Sequence, residues 1–153
     1  MPETIADLTV RPARTPDLPA LLDLYALLSG EVRTAAEASD GEQRAFADVL
    51  ADPRQRLLVA ERGGAVVGSV TLIVVPNLTH DGKPYGIIEN VVVREDARRG
   101  GIGAALMRAA IAAAREAGCY KVTLTSNLRR TDAHSFYEWL GFVTTQRTFR
   151  VDL

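Results

Sequence analysis

The chain has 153 residues, 47% of them hydrophobic and 24% charged. This length and composition are typical of one globular domain and exclude a disordered or collagen-like chain. No apolar stretch is long enough to span a bilayer, and the N-terminus lacks the pattern of a secretory signal. One cysteine excludes an internal disulfide, and with two histidines it argues against a zinc site. We therefore expect a single cytoplasmic domain over residues 1–153, with no metal and no membrane partner.

The net charge of −1 is not the footprint of a nucleic-acid-binding protein. Its distribution is uneven, however. Residues 1–90 carry 8 basic and 13 acidic side chains, whereas residues 91–153 carry 10 basic and 6 acidic ones. Basic surface confined to one region favours a compact anionic ligand, with an ordinary solvated face as the alternative.

The first half of the chain is predicted to form a strand, two helices and a hairpin. Thr15-Pro16 is typical of a helix start, with Thr15 as the N-cap, and apolar residues follow at helical spacing. Ser39 and Glu42 have the spacing of a capping box, and Gly63-Gly64 predicts a tight hairpin turn. The predicted elements are a strand over 8–11, helices over 16–28 and 40–50, and strands over 56–62 and 65–75.

The second half follows a polar loop over 76–84 and alternates strands with helices. Its first strand ends in the apolar run IIENVVV, as a central strand would. The predicted elements are strands over 85–93 and 121–125, helices over 101–117 and 132–140, and closing strands over 142–145 and 148–151. Strands separated by helices require at least one parallel pairing, so we predict an α/β protein with a mixed sheet and the order βααβββαβαββ.

A glycine-containing loop joins the apolar strand to the alanine-rich helix. Backbone N–H groups at a helix start are free, and glycine lets a phosphate approach them closely. The run Arg98-Arg99-Gly100-Gly101-Ile102-Gly103 therefore predicts an anion site, with a turn that binds nothing as the alternative. Leu106 stands where the dinucleotide fingerprint requires glycine, and the chain has no P-loop pattern.

Two motifs in this half resemble the GNAT superfamily of N-acetyltransferases. The pattern R-x-x-G-x-G at Arg98, Gly101 and Gly103 resembles that superfamily's acyl-CoA loop. Asn127, Ala133 and Phe136-Tyr137, followed by Leu140-Gly141-Phe142, resemble its second conserved segment. The element order matches as well, so the resemblance covers essentially the whole chain and implies the GNAT fold, a mixed, mostly antiparallel sheet flanked by helices.

The resemblance implies acetyl-CoA as co-substrate and no metal. The pantetheine arm would pair with the backbone of the strand end, where an N–H near Val91 would polarise the thioester carbonyl. Backbone amides and arginines of the loop would hold the diphosphate. The implied cofactor-binding residues are Val91, Val92, Val93, Arg98, Arg99, Gly100, Gly101, Ile102, Gly103, Ala104 and Asn127.

Tyr137 and Glu89 are the candidate catalytic residues. Tyr137 matches the superfamily's general acid, which would protonate the departing thiolate; a tyrosine that only packs the helix is the alternative. Glu89 is an acid within an apolar strand, which suggests a buried functional group. It would act as a base, through a raised pKa or a water relay, or would anchor the substrate ammonium.

Arg129 and Arg130 are candidate substrate-binding residues. SNLRRTDAHSFY looks most like aminoalkylphosphonate N-acetyltransferases, whereas IIENVVV and GCYKV look more like glucosamine-6-phosphate N-acetyltransferases. Both relatives act on small amines that carry a phospho group, which an arginine pair could bind bidentately. Solvent or the cofactor's phosphates are the alternative partners. Five residues separate Asn127 from Ala133, where the family often has two.

The main functional hypothesis is an acetyl-CoA-dependent N-acetyltransferase in which a small primary amine attacks directly. A protein N-acetyltransferase and a non-catalytic acyl-CoA sensor are the alternatives. His134 is expected on a helix surface, His80 in a loop that could reach substrate, and Cys119 in the core. Family members are often dimers, and the C-terminal FRVDL could supply a shared strand edge, but the sequence leaves the oligomeric state open.

Overall fold

The computed structural model describes residues 7–153, which fall into two compact units. The first unit ends at Thr123 and contains most of the sheet with three helices. The second unit spans Leu124–Leu153 and contains one helix and the C-terminal segment. Each unit carries part of the predicted site.

The regular elements agree with the predicted order as far as the last helix. The strands are β1 Leu8–Pro12, β2 Gln55–Arg62, β3 Ala65–Val75, β4 Tyr85–Val93 and β5 Val122–Leu124. The α-helices are α1 Leu18–Ser29, α2 Asp40–Ala51, α3 Ile102–Glu116 and α4 Thr131–Trp139. Short 3-10 turns lie at Thr15–Asp17, His80–Gly82 and Glu95–Ala97.

The five strands form one sheet in the order β1-β2-β3-β4-β5. The pairs β1–β2, β2–β3 and β3–β4 are antiparallel. At the start of β4, Tyr120 N–H donates to Pro84 O and Gly86 N–H donates to Lys121 O. From one bond to the next, the residue numbers increase on both segments, as in a parallel pair. The prediction of a mixed, mostly antiparallel sheet is confirmed.

Local signals explain where several elements begin and end. Glu42 N–H donates to Ser39 Oγ and Ser39 N–H donates to Glu42 Oε2, so α2 begins with the predicted capping box. Gly63 and Gly64 have φ of 58° and 77°, as the tight turn between β2 and β3 requires. Gly118, with φ 78°, ends α3 as a left-handed cap.

Helix α3 packs very closely against the sheet. A Cβ at Gly68 of β3 would lie 3.0 Å from Leu106 Cδ1, and one at Gly86 of β4 would lie in ordinary contact with Ala114 Cβ, at 3.6 Å. The helix buries its apolar face, which comprises Ile102, Ala104, Leu106, Met107, Ala110 and Ala114. Since a close-packed interior resists displacement, the start of α3 is held firmly beside the end of β4.

Helix α1 begins differently from the prediction. Thr15 is the first residue of a 3-10 turn instead of the N-cap, and Arg14 N–H donates to the carboxylate of Asp17. The buried Asp17 also accepts two hydrogen bonds from Arg11, which lower the pKa of its carboxyl. The hydrogen bonds that Arg11 donates to Asp17 and Glu61 raise the pKa of Arg11 in turn. The carboxylate of Asp17, paired with Arg11 of β1, thus takes the place of Thr15 at the start of this helix.

The prediction of two closing strands is wrong. Residues 142–153 form neither helix nor strand, and several of their apolar side chains are largely exposed. The alternating pattern there favours a strand, but a strand forms only where a neighbour pairs with it. Within the described chain, no such neighbour is present.

Among residues 7–153, no helix is long and apolar enough to cross a membrane.

Candidate functional site

The end of β4 leads through an irregular loop into α3. After the turn Glu95–Ala97, Arg98 is extended, and Arg99 and Gly101 adopt left-handed φ values of 65° and 73°. Glycine adopts this conformation freely, whereas an arginine does so at a cost of about 1–2 kcal/mol. Backbone strain of this kind is concentrated at ligand-binding sites.

The backbone N–H groups of residues 99–104, here called the amide loop, are free. Among residues 7–153, none of them donates to a backbone or side-chain acceptor. The first helical bond runs from Ala105 N–H to Gly101 O at 3.0 Å. Free donors at a helix start, together with the positive end of the helix dipole, favour an anion. Successive N–H groups in mixed-handed backbone also form concave anion sites.

Three arginines surround the amide loop. Arg98 and Arg99 are exposed, and Arg98 Nε donates to Val93 O at 3.2 Å. Arg62 is absent from the residues expected from the sequence, yet its Nη1 lies 3.6 Å from the position of a Cβ at Gly100. Because β2 and β4 run in the same direction on either side of β3, their C-terminal ends lie at the same end of the sheet. The predicted hairpin of β2 and β3 was the sequence signal that could have placed Arg62 near the loop.

Strand β4 contains a β-bulge two residues before its end. Ser69 of β3 lies opposite Val92 and Thr71 lies opposite Glu89, so Asn90 and Val91 together oppose Val70. Asn90 has φ 53°, which asparagine tolerates better than most residues. A bulge bends its strand and redirects side chains. Here it lies at the position where the thioester carbonyl is expected.

Glu89 is exposed, contrary to the expectation of a buried acid. The apolar run around it suggests burial, and Ile88 and Val92 are indeed buried. Glu89 follows the alternation of β4, on the less buried face with Tyr85 and Ile87, and the bulge adds Asn90 to that face.

Asn127, Arg129 and Arg130 lie in the second unit, in the turn before α4. Asn127 Oδ1 accepts from Arg129 N–H at 2.9 Å, and Asn127 O accepts from Arg130 N–H at 3.0 Å. His134 Nε2 also donates to Asn127 O, at 2.9 Å. His134 therefore fastens the turn. Both arginine side chains are exposed and unpaired within residues 7–153.

Tyr137 is buried in the second unit, on α4. Its ring contacts Phe136 and Phe142, at centroid distances of 5.5 and 6.1 Å. Burial raises the pKa of the Tyr137 phenol above its usual 10, and the charge of Arg130 offsets part of that rise. Tyr137 therefore stays protonated at neutral pH, as a proton donor must.

The remaining candidates have structural surroundings. His80 is exposed and stacks on Tyr120, with ring centroids 3.8 Å apart. Cys119 is half-buried, and burial raises the pKa of its thiol, which disfavours the thiolate. Among residues 7–153, no three histidine, cysteine or acidic side chains are grouped as a metal site would require.

Residues 19–142 match the acetyltransferase (GNAT) family. The chain belongs to this family. It is 35% identical to a glucosamine 6-phosphate N-acetyltransferase of Trypanosoma brucei brucei, over 97% of this chain and 98% of that protein. It is 38% identical to an aminoalkylphosphonate N-acetyltransferase of Salmonella typhimurium, over 63% of this chain and 62% of that protein.

A solved structure of a candidate acetyltransferase from Agrobacterium tumefaciens agrees with this assignment. It is 38% identical, has a TM-score of 0.86, and the match covers 95% of this chain and 99% of that one. The predictions of a GNAT fold and an N-acetyltransferase are confirmed. The individual site residues stay predictions.

The left-handed backbone at Asn90 can be tested by substitution. Asn90→Val should destabilise the protein by about 1–2 kcal/mol, because a β-branched residue is strained at this φ. Asn90→Gly removes the same side chain without the strain and should leave the free energy of unfolding nearly unchanged. Urea denaturation measures both. Equal stability of the two variants would contradict a left-handed residue at this position.

Proposed function

We propose that the protein transfers an acetyl group from acetyl-CoA to a small primary amine that carries a phosphate or phosphonate. The observation that carries the proposal is the amide loop with its free N–H groups and flanking arginines. The family uses acetyl-CoA in general, and two relatives are named for phosphorylated or phosphonate-bearing amines.

The first unit supplies groups suited to the co-substrate. The amide loop would bind the diphosphate through N–H donors and the helix dipole. The three residues of β5 run beside only the first half of β4, so the backbone of Val91–Val93 extends beyond them. This backbone would bind the pantetheine arm, and a nearby N–H would polarise the thioester carbonyl. Acetyl-CoA supplies the acyl carbon that the amine attacks.

Tyr137 is proposed as the proton donor to the leaving thiolate. Reference pKa values near 10 for phenol and 8.5 for thiol make full proton transfer uphill by about 2 kcal/mol. Burial increases that difference. Tyr137 would therefore act mainly as a hydrogen-bond donor while the C–S bond breaks.

Glu89 is proposed to receive the amine's proton through water or to hold the ammonium. An amine with a pKa near 10 remains protonated at pH 7, and its deprotonation costs about 4 kcal/mol. The exposed carboxylate would attract the cation, and water beside it would carry the proton to solvent. The exposure of Glu89 favours this water-mediated route.

Arg129 and Arg130 are proposed to bind the acceptor's anionic group. Both guanidinium groups are unpaired within residues 7–153, and their planar donors suit a phosphate or phosphonate. Arg130 also acts electrostatically on Tyr137, so the anion site and the proton donor lie in the same unit. A homodimer and a cytoplasmic location remain predictions from the sequence.

A substrate panel tests the proposed acceptor class. CoA release should be fastest with glucosamine 6-phosphate or aminomethylphosphonate and much slower with their phosphate-free counterparts. Removing both charges with Arg129→Gln and Arg130→Gln should raise KM for the phospho-amines at least tenfold, because each lost ionic hydrogen bond weakens binding. Arg147→Gln, another exposed arginine of the second unit, should leave KM unchanged.

Two results would contradict this acceptor class. Turnover of peptides alone would indicate a protein N-acetyltransferase. Tight acetyl-CoA binding without turnover of any amine would indicate a sensor.

The role of Tyr137 has its own test. Tyr137→Phe should lower kcat by about a hundredfold or more, while the Kd for acetyl-CoA stays unchanged. Because the acid form is required and burial raises the phenol's pKa, wild-type activity should not fall with rising pH below about 10. Tyr120→Phe serves as the control. A kcat for Tyr137→Phe equal to that of this control would remove the assignment.

A further inference from the structure

Arg62 lies at the end of β2, immediately before the turn Gly63-Gly64. Strand β3 pairs with β2 on one side and with β4 on the other, and Gly68 of β3 lies opposite Val93. Arg94 N–H donates to Val67 O, which keeps the start of the loop next to β3. Arg62 is therefore placed beside the amide loop by the sheet itself.

The guanidinium of Arg62 faces Gly100. Its Nη1 would lie 3.6 Å from a Cβ at this residue, and Ala97 O would lie at the same distance. A Cβ there would be in ordinary van der Waals contact with Nη1, so glycine leaves a gap about the width of a methyl group beside the guanidinium. Within residues 7–153, the Arg62 side chain makes no hydrogen bond or salt bridge, although its charge acts on Asp96. The acid nearest in sequence to the loop, Asp96, pairs instead with Arg94 at 2.6 Å.

We infer that Arg62 binds the diphosphate of the acyl-CoA co-substrate, opposite the free N–H groups of the amide loop. The inference rests on the proposed function, and it adds a contact from β2, outside the loop motif. Arginine offers a planar fork of donors that matches phosphate oxygens. The amide loop and Arg62 would then hold the diphosphate from two sides.

The position of Arg62 favours the diphosphate over the ribose 3′-phosphate. Gly100 lies in the amide loop between Arg99 and Gly101, and these N–H groups are the ones proposed for the diphosphate. A guanidinium beside Gly100 therefore lies next to the N–H groups that are proposed to bind the diphosphate. This choice between two phosphates can be tested with analogues.

Calorimetric titration of Arg62→Gln with three ligands tests the inference. Binding of acetyl-CoA and of its 3′-dephospho analogue should weaken equally, about tenfold, as loss of one ionic hydrogen bond predicts. Binding of acetyl-pantetheine, which has no diphosphate, should not change. Arg62→Lys keeps the charge but loses the fork, so it should weaken acetyl-CoA binding by a smaller factor.

Arg56→Gln is the matched control. Arg56 lies six residues earlier on β2, about 20 Å away, and is exposed. An Arg62→Gln protein that binds acetyl-CoA as Arg56→Gln does would overturn the inference. So would weakening confined to the ligand that has the 3′-phosphate. A wild-type protein that does not bind acetyl-CoA would overturn the proposed function as well, and thermal melts of each variant confirm that it is folded.

Discussion

Six consecutive backbone N–H groups that have no acceptor among residues 7–153 are the constraint on which the proposed chemistry depends. A helix start leaves three or four such donors, and the left-handed residues Arg99 and Gly101 extend the free run backwards into the loop. The position of this run depends on where α3 begins. The start of α3 packs closely against Gly68, where a Cβ would lie 3.0 Å from Leu106 Cδ1, so the missing side chain lets the helix lie close to the sheet. Helix α3 therefore contributes its apolar face to the core and its first N–H groups to the proposed anion site.

The bulge in β4 gives this strand two functions. The first half of β4 pairs on both sides and belongs to the core. Beyond Asn90 the strand keeps its pairing with β3, but the short β5 has ended. The inserted residue also places Asn90 on the exposed face beside Glu89, where alternation alone would bury it. A polar position and a free strand edge thus arise next to each other in an otherwise apolar strand.

Much of the fold could be predicted from the sequence, because local signals were decisive. The bounds of β4 and α3, the capping box of α2 and the hairpin turn depend on residues adjacent in the chain. Features set by distant partners were mispredicted or missed. The segment after Gly141 has strand-like alternation but no pairing partner in the described chain. The start of α1 depends on Arg11 of β1, which donates to Asp17 and to Glu61 of β2. Glu89 lies in an apolar run that suggests burial, and its exposure depends on which face of β4 packs against the core. The position of Arg62 beside the amide loop depends on the register of β2, β3 and β4.

The amide loop can be observed directly with a ¹⁵N-labelled protein titrated with CoA and, separately, with pantetheine. If the loop binds the diphosphate, the amide protons of residues 99–104 should shift downfield with CoA, as hydrogen bonds to an anion require, and should hardly move with pantetheine. Equal shifts with both ligands, or shifts confined to other parts of the chain, would contradict the account.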